Sequence, residues 1–190
     1  MSSIIKVPVK LCLSNGFSED EFMTETLTLI SNSPLRTREI ANSILDSLHG
    51  GMSLALEGGL GAGKTEFVRG LAAALGLESE VSSPSFVLEN IYSLTNQSNV
   101  DKSIKTLFHW DFYRLNNSSE PEELADNFQD TQALTIVEWP ERVIWSHGFP
   151  FDLLVQIKFC KSNSGQFLDE QRELIIRGAP ELITNISAKI

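Results

Sequence analysis

A glycine-rich octapeptide at residues 58–65 holds the side chains and backbone groups best suited to do chemistry. It reads Gly-Gly-Leu-Gly-Ala-Gly-Lys-Thr and fits the pattern G-x-x-x-x-G-K-[ST]. Glycines lack a β-carbon, so the backbone can turn tightly and bring its N–H groups close to phosphate oxygens. In this pattern Lys64 supplies a cation for the outer phosphates, and Thr65 supplies a hydroxyl where Mg²⁺ would sit. The octapeptide therefore predicts a site for a nucleoside triphosphate.

The residues on either side of the octapeptide support this interpretation. Residues 52–57 form an apolar run that predicts a short buried strand. After the loop, apolar residues recur at helical spacing and Gly76 is a typical helix end; the apolar positions are Phe67, Val68, Leu71, Ala72 and Leu75. A helix that starts at the loop would point its N-terminus at a bound anion. A chance match in an ordinary glycine-rich turn is the alternative, and this context disfavours it.

Two acidic residues follow apolar runs that predict strands. Asp111 comes after residues 106–110, and Glu138 comes after residues 133–137. Nucleotide hydrolysis needs an anchored metal and an oriented water, and carboxylates at the carboxyl ends of neighbouring strands usually serve both tasks. Glu138 fits the metal-holding position better, but either acid could hold Mg²⁺ or act as a base. The alternative is an acid that is merely solvated at the start of a loop.

Other side chains near these acids have more ordinary interpretations. We expect His109 to be a packed residue with a hydrogen bond, and Trp110, Phe112 and Trp139 to be packing residues. Arg114 could reach a phosphate or form a surface salt bridge. Clusters of Cys and His with zinc-site spacing are absent from the sequence.

The order of predicted elements indicates an α/β fold. Strands are expected at residues 26–30, 52–57, 86–92, 106–111 and 133–137, with a surface loop at 95–99. Helices are expected over residues 40–48, after residue 64 and from about residue 120. Thr37 lies near the start of the first of these helices and is a possible cap for it. Residues 153–159 and 172–177 predict a C-terminal hairpin. Early alternation followed by a hairpin predicts an α/β sandwich around a mixed sheet.

Composition narrows the class of protein. The formal net charge of −10 argues against a free-standing nucleic-acid binder. Cys12 and Cys160 are better explained as reduced thiols of a cytosolic protein than as a disulfide framework. No stretch approaches the roughly 20 apolar residues of a membrane span, so we expect a soluble cytoplasmic protein. Residues 24–190 are expected to form one domain, and residues 1–23 to be an extension, either an edge strand or a mobile segment.

Four motifs in a fixed order carry a resemblance to a known family. They are residues 58–65, Ser-Pro-Ser-Phe at 83–86, His-Trp-Asp-Phe-Tyr-Arg at 109–114 and Glu-Trp-Pro at 138–140. Together they resemble the TsaE family, small bacterial ATPases of tRNA threonylcarbamoyladenosine biosynthesis, over about residues 26–177. The first motif is common to many proteins, whereas the four in this order and spacing are highly specific.

The resemblance implies both a fold and an activity. It implies a P-loop NTPase three-layer sandwich with a mixed central sheet and a C-terminal antiparallel hairpin. Family members bind ATP with Mg²⁺ and hydrolyse ATP slowly alone. They act with the threonylcarbamoyl-transferase subunit and its companion subunit, which modify the adenosine next to the tRNA anticodon. ATP turnover is thought to reset that complex, so contact with tRNA would be indirect.

The resemblance also implies residue roles. Asp111 and Glu138 are the site acids, and with Thr65 they form the implied Mg²⁺ set. Ser83, Pro84 and Ser85 match a switch-like loop. Nucleotide contacts are implied for Thr37, Gly59, Leu60, Gly61, Ala62, Gly63, Lys64, Thr65 and Glu66.

This chain departs from the family pattern at three of these positions. Gly59 replaces the usual Asp, Glu66 stands where a second Thr is common, and Ser85 replaces Thr. At Glu66 a hydroxyl contact is lost, although the backbone N–H would still serve. None of the three changes removes a core chemical group.

Two other functions remain compatible with the phosphate loop. A small-molecule kinase would usually add an arginine-rich lid and an acceptor pocket. The chain has only 15 Lys and Arg residues, with no arginine cluster after the second half of the predicted sheet. A non-catalytic nucleotide-sensing module would bind ATP without turning it over. Substitution of Asp111 and Glu138 separates this module from an ATPase.

Overall fold

The computed structural model describes residues 24–77, 81–84, 86–94, 103–162 and 164–190. The predictions made for residues 1–23, for the loop at 95–99 and for Ser85 lie outside these ranges. Cys160 is a free thiol. Among the described residues, no helix is long and apolar enough to cross a membrane.

A seven-stranded mixed sheet forms the centre of the described chain, in the order β1-β9-β8-β2-β6-β4-β3. Strands β8, β2, β6 and β4 run parallel to their neighbours in this central part, while β1, β9 and β3 pair antiparallel. The mixed sheet and the antiparallel β8–β9 hairpin confirm the sequence predictions. The strands of this sheet are β1 (Glu25–Ser31), β2 (Ser53–Glu57), β3 (Glu89–Ser93), β4 (Thr106–Asp111), β6 (Ala133–Glu138), β8 (Leu153–Lys161) and β9 (Phe167–Gly178).

Helices α1 (Pro34–Leu45) and α2 (Lys64–Ala74) pack against each other and against the sheet. Each presents an apolar face at helical spacing, and the largest fully buried side chains include Ile40, Ile44, Phe67 and Leu71. Burying such side chains stabilises the fold by about 1.5–3 kcal/mol each. This packing fixes the start of α2 against the carboxyl ends of the central strands.

A separate aromatic cluster covers the other face of β4 and β6. Successive side chains of a strand point to opposite faces, so Leu107 and Ile136 join the core under α1 and α2, whereas Trp110 and Val137 join the second cluster. Leu124 of α3 (Glu122–Gln129) completes that second cluster. By the same alternation, residues 109, 111 and 138 lie on the α2 side of the sheet.

Several element boundaries differ from the sequence predictions. Strand β3 begins at Glu89 rather than at residue 86, because Leu88 has a left-handed φ of 75° and its N–H donates to Pro84 O at 2.8 Å. Helix α1 ends at Leu45, three residues early, and Ser33 rather than Thr37 caps it by accepting from Arg36 N at 3.1 Å.

The sequence predictions also missed four short elements, two strands and two helical segments, one of which is the 3₁₀ helix Pro140–Arg142. Strand β5 (Ser118–Ser119) pairs in parallel with β7 (Val143–Ile144) in a separate two-stranded sheet. Helix α4 (Pro180–Ser187) follows β9 and buries Ile183 and Ile186. Its signal, a proline at the first helical position before two spaced isoleucines, is visible in the sequence but short.

Candidate functional site

The glycine-rich loop joins β2 to α2 and takes a conformation that requires glycine at three positions. Gly58, Gly61 and Gly63 have φ values of 150°, 75° and 107°. A β-carbon on Gly58 would lie 2.5 Å from Ile157 O, whereas the space beside Gly61 and Gly63 is open. The first intrahelical bond runs from Phe67 N to Gly63 O at 3.0 Å. The backbone N–H groups of residues 64–66 therefore lack intrahelical partners and can face an anion.

Lys64 lies folded over the loop that it terminates. Its Nζ donates to Gly58 O at 2.7 Å and Gly59 O at 3.1 Å, and it lies 3.6 Å from the centre of a Trp139 ring. Burial lowers the pKa of the Lys64 ammonium below its ordinary value, and the neighbouring carboxylates, first that of Glu138, partly oppose this shift. The amine is a nearly buried cation whose present partners are neutral carbonyls, so a phosphate would be a stronger partner.

Glu138 joins the loop to the sheet. Its Oε1 accepts from Thr65 Oγ1 at 3.1 Å and from His109 Nε2 at 3.0 Å. His109 is fully buried, which confirms its expected role as a packed residue with a hydrogen bond. The carboxylate is therefore held in place from both sides, by the helix that follows the loop and by the neighbouring strand.

Asp111 lies directly beside Glu138 in the register of the parallel strands β4 and β6. Its Oδ2 accepts from Ser83 Oγ at 2.9 Å, and its Oδ1 accepts from Tyr113 N at 2.9 Å. The exposed fractions of Asp111 and Glu138 are 3% and 2%. Neither acid is simply solvated at a loop start, which was the alternative interpretation of both.

These groups surround one cleft of about 420 Å³. Its wall combines loop residues, the two acids and aromatic side chains; the residues are Leu60, Gly61, Gly63, Lys64, Thr65, Glu66, Ser83, Phe86, Asp111, Tyr113, Arg114, Glu138 and Trp139. Gly59, Ala62 and Pro84 are not among the residues that line it. The cleft brings together the phosphate loop and both strand-end acids predicted from the sequence.

Thr37 lies away from the cleft wall. Its side chain is buried, and its Oγ1 is 2.8 Å from Ser31 Oγ and 3.4 Å from Ser33 O. The hydroxyl therefore holds the start of α1 onto the end of β1. The described lining of the cleft does not include it.

Glu66 uses its side chain to join the two helices. Its carboxylate receives Arg38 Nε at 2.6 Å and also pairs with Arg69 Nη1. Burial alone would raise the pKa of Glu66, but the hydrogen bonds and charges of Arg38 and Arg69 outweigh burial and lower it. The side chain that replaces a threonine of the family pattern is thus neutralised by two cations, while its backbone N–H stays at the helix N-terminus.

Sequence reasoning missed or misassigned several contacts at the site. Trp139 was expected to be a packing residue only, but it lies against the Lys64 ammonium. Arg114 lines the cleft with its guanidinium 4.4 Å from the centre of the Phe86 ring. Arg172 contacts the loop backbone from β9, and no local pattern could reveal a contact across 110 residues. Trp110 and Phe112 pack in the aromatic cluster as expected.

The donor set fits Mg²⁺ held jointly with a nucleotide. Thr65 offers a hydroxyl, and Asp111 and Glu138 offer carboxylates, all hard oxygen donors on one cleft wall. In the described part of the chain, no group of three or more His, Cys, Asp or Glu residues could bind a metal by itself. Mg²⁺ commonly keeps few protein ligands and completes its shell with phosphate oxygens and water.

Comparisons with known proteins point to one family. The family model for "Threonylcarbamoyl adenosine biosynthesis protein TsaE" matches residues 31–172. The chain is 37% identical over 97 residues to a tRNA threonylcarbamoyladenosine biosynthesis protein TsaE from Synechocystis sp., a match that covers 49% of this chain and 57% of the relative. It is 36% identical over 106 residues to the protein of the same name from Bacillus subtilis, covering 56% of this chain and 61% of the relative.

A solved structure shares the fold. The chain is similar to the crystal structure of Bacillus subtilis YdiB, with a TM-score of 0.60 and 25% identity over 87% of this chain and 97% of that one. The aligned part spans about three fifths of each of the two curated relatives above. The family model nevertheless covers the loop, both acids and most of the sheet, and on this basis the chain belongs to the TsaE family.

Proposed function

We propose that this protein is a Mg²⁺-dependent ATPase required for threonylcarbamoyladenosine modification of tRNA at the adenosine next to the anticodon. The observation that carries the proposal is the cleft in which Lys64 and Thr65 meet Asp111 and Glu138. A loop alone would suffice for binding, whereas two buried carboxylates beside it are suited to turnover. Membership of the TsaE family supports the choice of pathway.

The phosphate chain of ATP would be held by the backbone. The unpaired N–H groups at the start of α2 would donate to phosphate oxygens, and Lys64 Nζ would exchange its bonds to the Gly58 and Gly59 carbonyls for bonds to the outer phosphates. Bonds to charged oxygens in a partly dry cleft are about twice as strong as neutral ones. This exchange favours the nucleotide-bound form.

The two acids would take different roles. Glu138 is bonded to Thr65 Oγ1, so we assign it the support of Mg²⁺ together with that hydroxyl. Asp111 is bonded to Ser83 on the predicted switch loop, so we assign it the attacking water. Bound Mg²⁺ would neutralise charge that develops on the phosphates.

The remaining parts of the proposal follow from the family. We propose that residues 24–190 form one P-loop NTPase domain, a three-layer sandwich, and that it acts in the cytoplasm. Its partners would be the threonylcarbamoyl-transferase subunit and the companion subunit of that complex. The net charge of −10 favours contact with tRNA through those partners rather than directly.

Gene deletion with complementation tests this function. Loss of the gene should lower threonylcarbamoyladenosine in total tRNA, measured by mass spectrometry of the nucleosides. The wild-type gene should restore it, and Lys64→Ala should not, because the phosphate chain loses its cation. Arg36→Gln, in an exposed pair with Glu39, is the matched control and should restore it. Normal modification in the deletion strain would refute the proposal.

A further inference from the structure

Arg172 of β9 contacts backbone carbonyl groups of the glycine-rich loop at residues 58–65. Its Nε donates to Ala62 O at 3.1 Å, and its Nη2 lies 3.5 Å from Gly61 O. Its Nη1 donates to two other backbone carbonyls, those of Asp169 at 2.8 Å and Gln171 at 2.9 Å. The guanidinium is therefore held in one orientation by backbone oxygens on two sides.

The face of the same guanidinium rests on an aromatic ring. Its central carbon lies 4.2 Å from the centre of the Phe159 ring, and Phe159 is the register partner of Arg172 across β8 and β9. On its other side, Arg172 pairs in register with Ser31 of β1. A cation stacked on a ring in the middle of a paired strand has little freedom to move. Arg172 is thus anchored on the sheet while it contacts the loop.

The contact with Ala62 O determines where the next N–H points. A peptide group is planar and trans, so the carbonyl of Ala62 and the N–H of Gly63 point in opposite directions. When Ala62 O faces Arg172, the Gly63 N–H is turned away from it, on the side where Gly63 lines the cleft. Within the described residues, no group accepts a hydrogen bond from this N–H. It is free to donate to an anion.

We propose that Arg172 is a positioning residue that sets the affinity of the loop for a nucleotide phosphate chain. It does so by fixing the Ala62–Gly63 peptide so that the Gly63 N–H faces the cleft. The guanidinium is committed to loop and strand carbonyls, so it acts through the peptide and does not contact the phosphates. This inference rests on the proposed function, since it presumes a nucleotide in the cleft.

The composition of the loop explains why an external contact matters here. Four of the eight residues at 58–65 are glycine, which has the largest conformational freedom of any residue. A β-carbon added to Gly61 or Gly63 would meet no atom within 4 Å, so neither residue is closely packed on that side. A guanidinium anchored on the sheet can restrain the Ala62–Gly63 peptide with little further loss of conformational entropy, because the arginine side chain is already ordered.

The test compares Arg172→Gln, Arg172→Lys and the control Arg36→Gln in the full chain. Two quantities are measured: the affinity for MgADP by calorimetry, and the position of the Gly63 amide resonance in ¹⁵N spectra with and without MgADP. We expect Arg172→Gln to weaken MgADP binding about ten- to a hundredfold, the loss of one charge-assisted bond. The Gly63 resonance should move before nucleotide is added. In turnover, KM for ATP should rise while kcat changes little.

The lysine variant separates charge from geometry. An ammonium keeps the charge but lacks the fork that reaches Ala62 O and the strand carbonyls together. Arg172→Lys should therefore bind MgADP more weakly than wild type, and Arg36→Gln should bind like wild type. If Arg172→Gln does not fold, the lysine variant decides by the same two measurements.

The outcomes distinguish this inference from the proposed function. Wild-type affinity and an unmoved Gly63 resonance in the folded Arg172 variants would overturn the positioning role and leave the function standing. A lowered melting temperature with unchanged affinity would also overturn it, since it would indicate a purely structural contact. No binding of MgADP by the wild-type protein would overturn both.

Discussion

The phosphate loop at residues 58–65 and the acid pair Asp111 and Glu138 line the same cleft but are built in opposite ways. The loop offers mainly backbone groups, with glycines at positive φ and unpaired N–H groups at the start of α2, and adds one charged side chain, the ammonium of Lys64. The acid pair works through side chains that two parallel strands place in register. The loop depends on glycines, which lack a β-carbon, whereas the acid pair depends on its two carboxylate groups.

Under the proposed function, this difference assigns nucleotide binding and nucleotide hydrolysis to different regions. A backbone cradle recognises any phosphate chain and is insensitive to isosteric changes of side chains. By contrast, the positions of the two carboxylates depend on individual hydrogen bonds, those from Thr65 and His109 to Glu138 and from Ser83 to Asp111. Binding should therefore fail when the loop changes, and turnover should fail when the acids change.

Removal of the acid charges should have the largest effect. Glu138→Gln keeps the shape and one acceptor oxygen, whereas Asp111→Asn keeps the shape but replaces one of two acceptor oxygens with an amide donor. Both lose the negative charge, so each should lower ATP turnover about 10²–10⁴-fold. Affinity for MgADP should stay within about tenfold, because the loop remains intact. A steady-state assay together with calorimetry measures both quantities. Full activity in both variants would show that the acids are assigned wrongly.

Two neighbouring glycines of the loop should differ sharply in how much their substitution by alanine destabilises the fold. A β-carbon at Gly58 would lie 2.5 Å from Ile157 O, at a φ of 150°, whereas at Gly59 it would meet only the Phe159 ring at 3.6 Å. Gly58→Ala should lower the free energy of unfolding by about 3 kcal/mol, and Gly59→Ala by less than about 0.5 kcal/mol. Urea denaturation measures both values. Equal losses would mean that the loop is not held as described.

Substitution of His109 tests whether the position of the Glu138 carboxylate depends on a single hydrogen bond. His109→Leu removes the donor at 3.0 Å from Glu138 Oε1 and leaves a carboxylate oxygen short of a partner. We expect a loss of about 1–3 kcal/mol in unfolding free energy and about tenfold in turnover. His109→Gln, which keeps an amide donor, should recover part of both. If the leucine variant is as active as wild type, this bond does not position Glu138.

The smallest effect should come from Glu66, and it should depend on pH. Its pKa is lowered in the folded protein, so its ion pairs stabilise the fold above the unfolded pKa and lose that effect as the pH falls through the folded pKa. Glu66→Gln should cost about 0.5–1 kcal/mol at neutral pH. The gap to wild type should narrow below about pH 4. Glu39→Gln, in an exposed pair, should cost almost nothing. A gap independent of pH would exclude the ion-pair explanation.

The strand-end acids could be located from sequence because buried parallel strands appear as mostly apolar runs. The runs before Asp111 and Glu138 leave few choices for where each strand ends, and β4 and β6 end at these two residues. The loop was equally visible, since its glycines and lysine have fixed spacing. Local patterns thus predicted both halves of the cleft wall.

Contacts between distant parts of the chain left no such signal. Arg172 lies in a strand of mixed polarity, and its contact with Ala62 depends on the order of strands in the sheet. Phe86–Leu88 resembled the start of a strand, but a positive φ at Leu88 turns the chain before β3. Thr37 was the cap predicted from the sequence, whereas the hydrogen bond from Arg36 N shows that Ser33, directly before Pro34, caps helix α1.

The central claim is that the loop at residues 58–65 binds the nucleotide and that Asp111 and Glu138 are needed for its hydrolysis. Calorimetric titration of MgADP into the wild-type protein, Lys64→Ala and Glu138→Gln tests it most directly. The account predicts one site in wild type, a loss of about a hundredfold or more in affinity for Lys64→Ala, and near-wild-type affinity for Glu138→Gln. Equal binding by wild type and Lys64→Ala would contradict it.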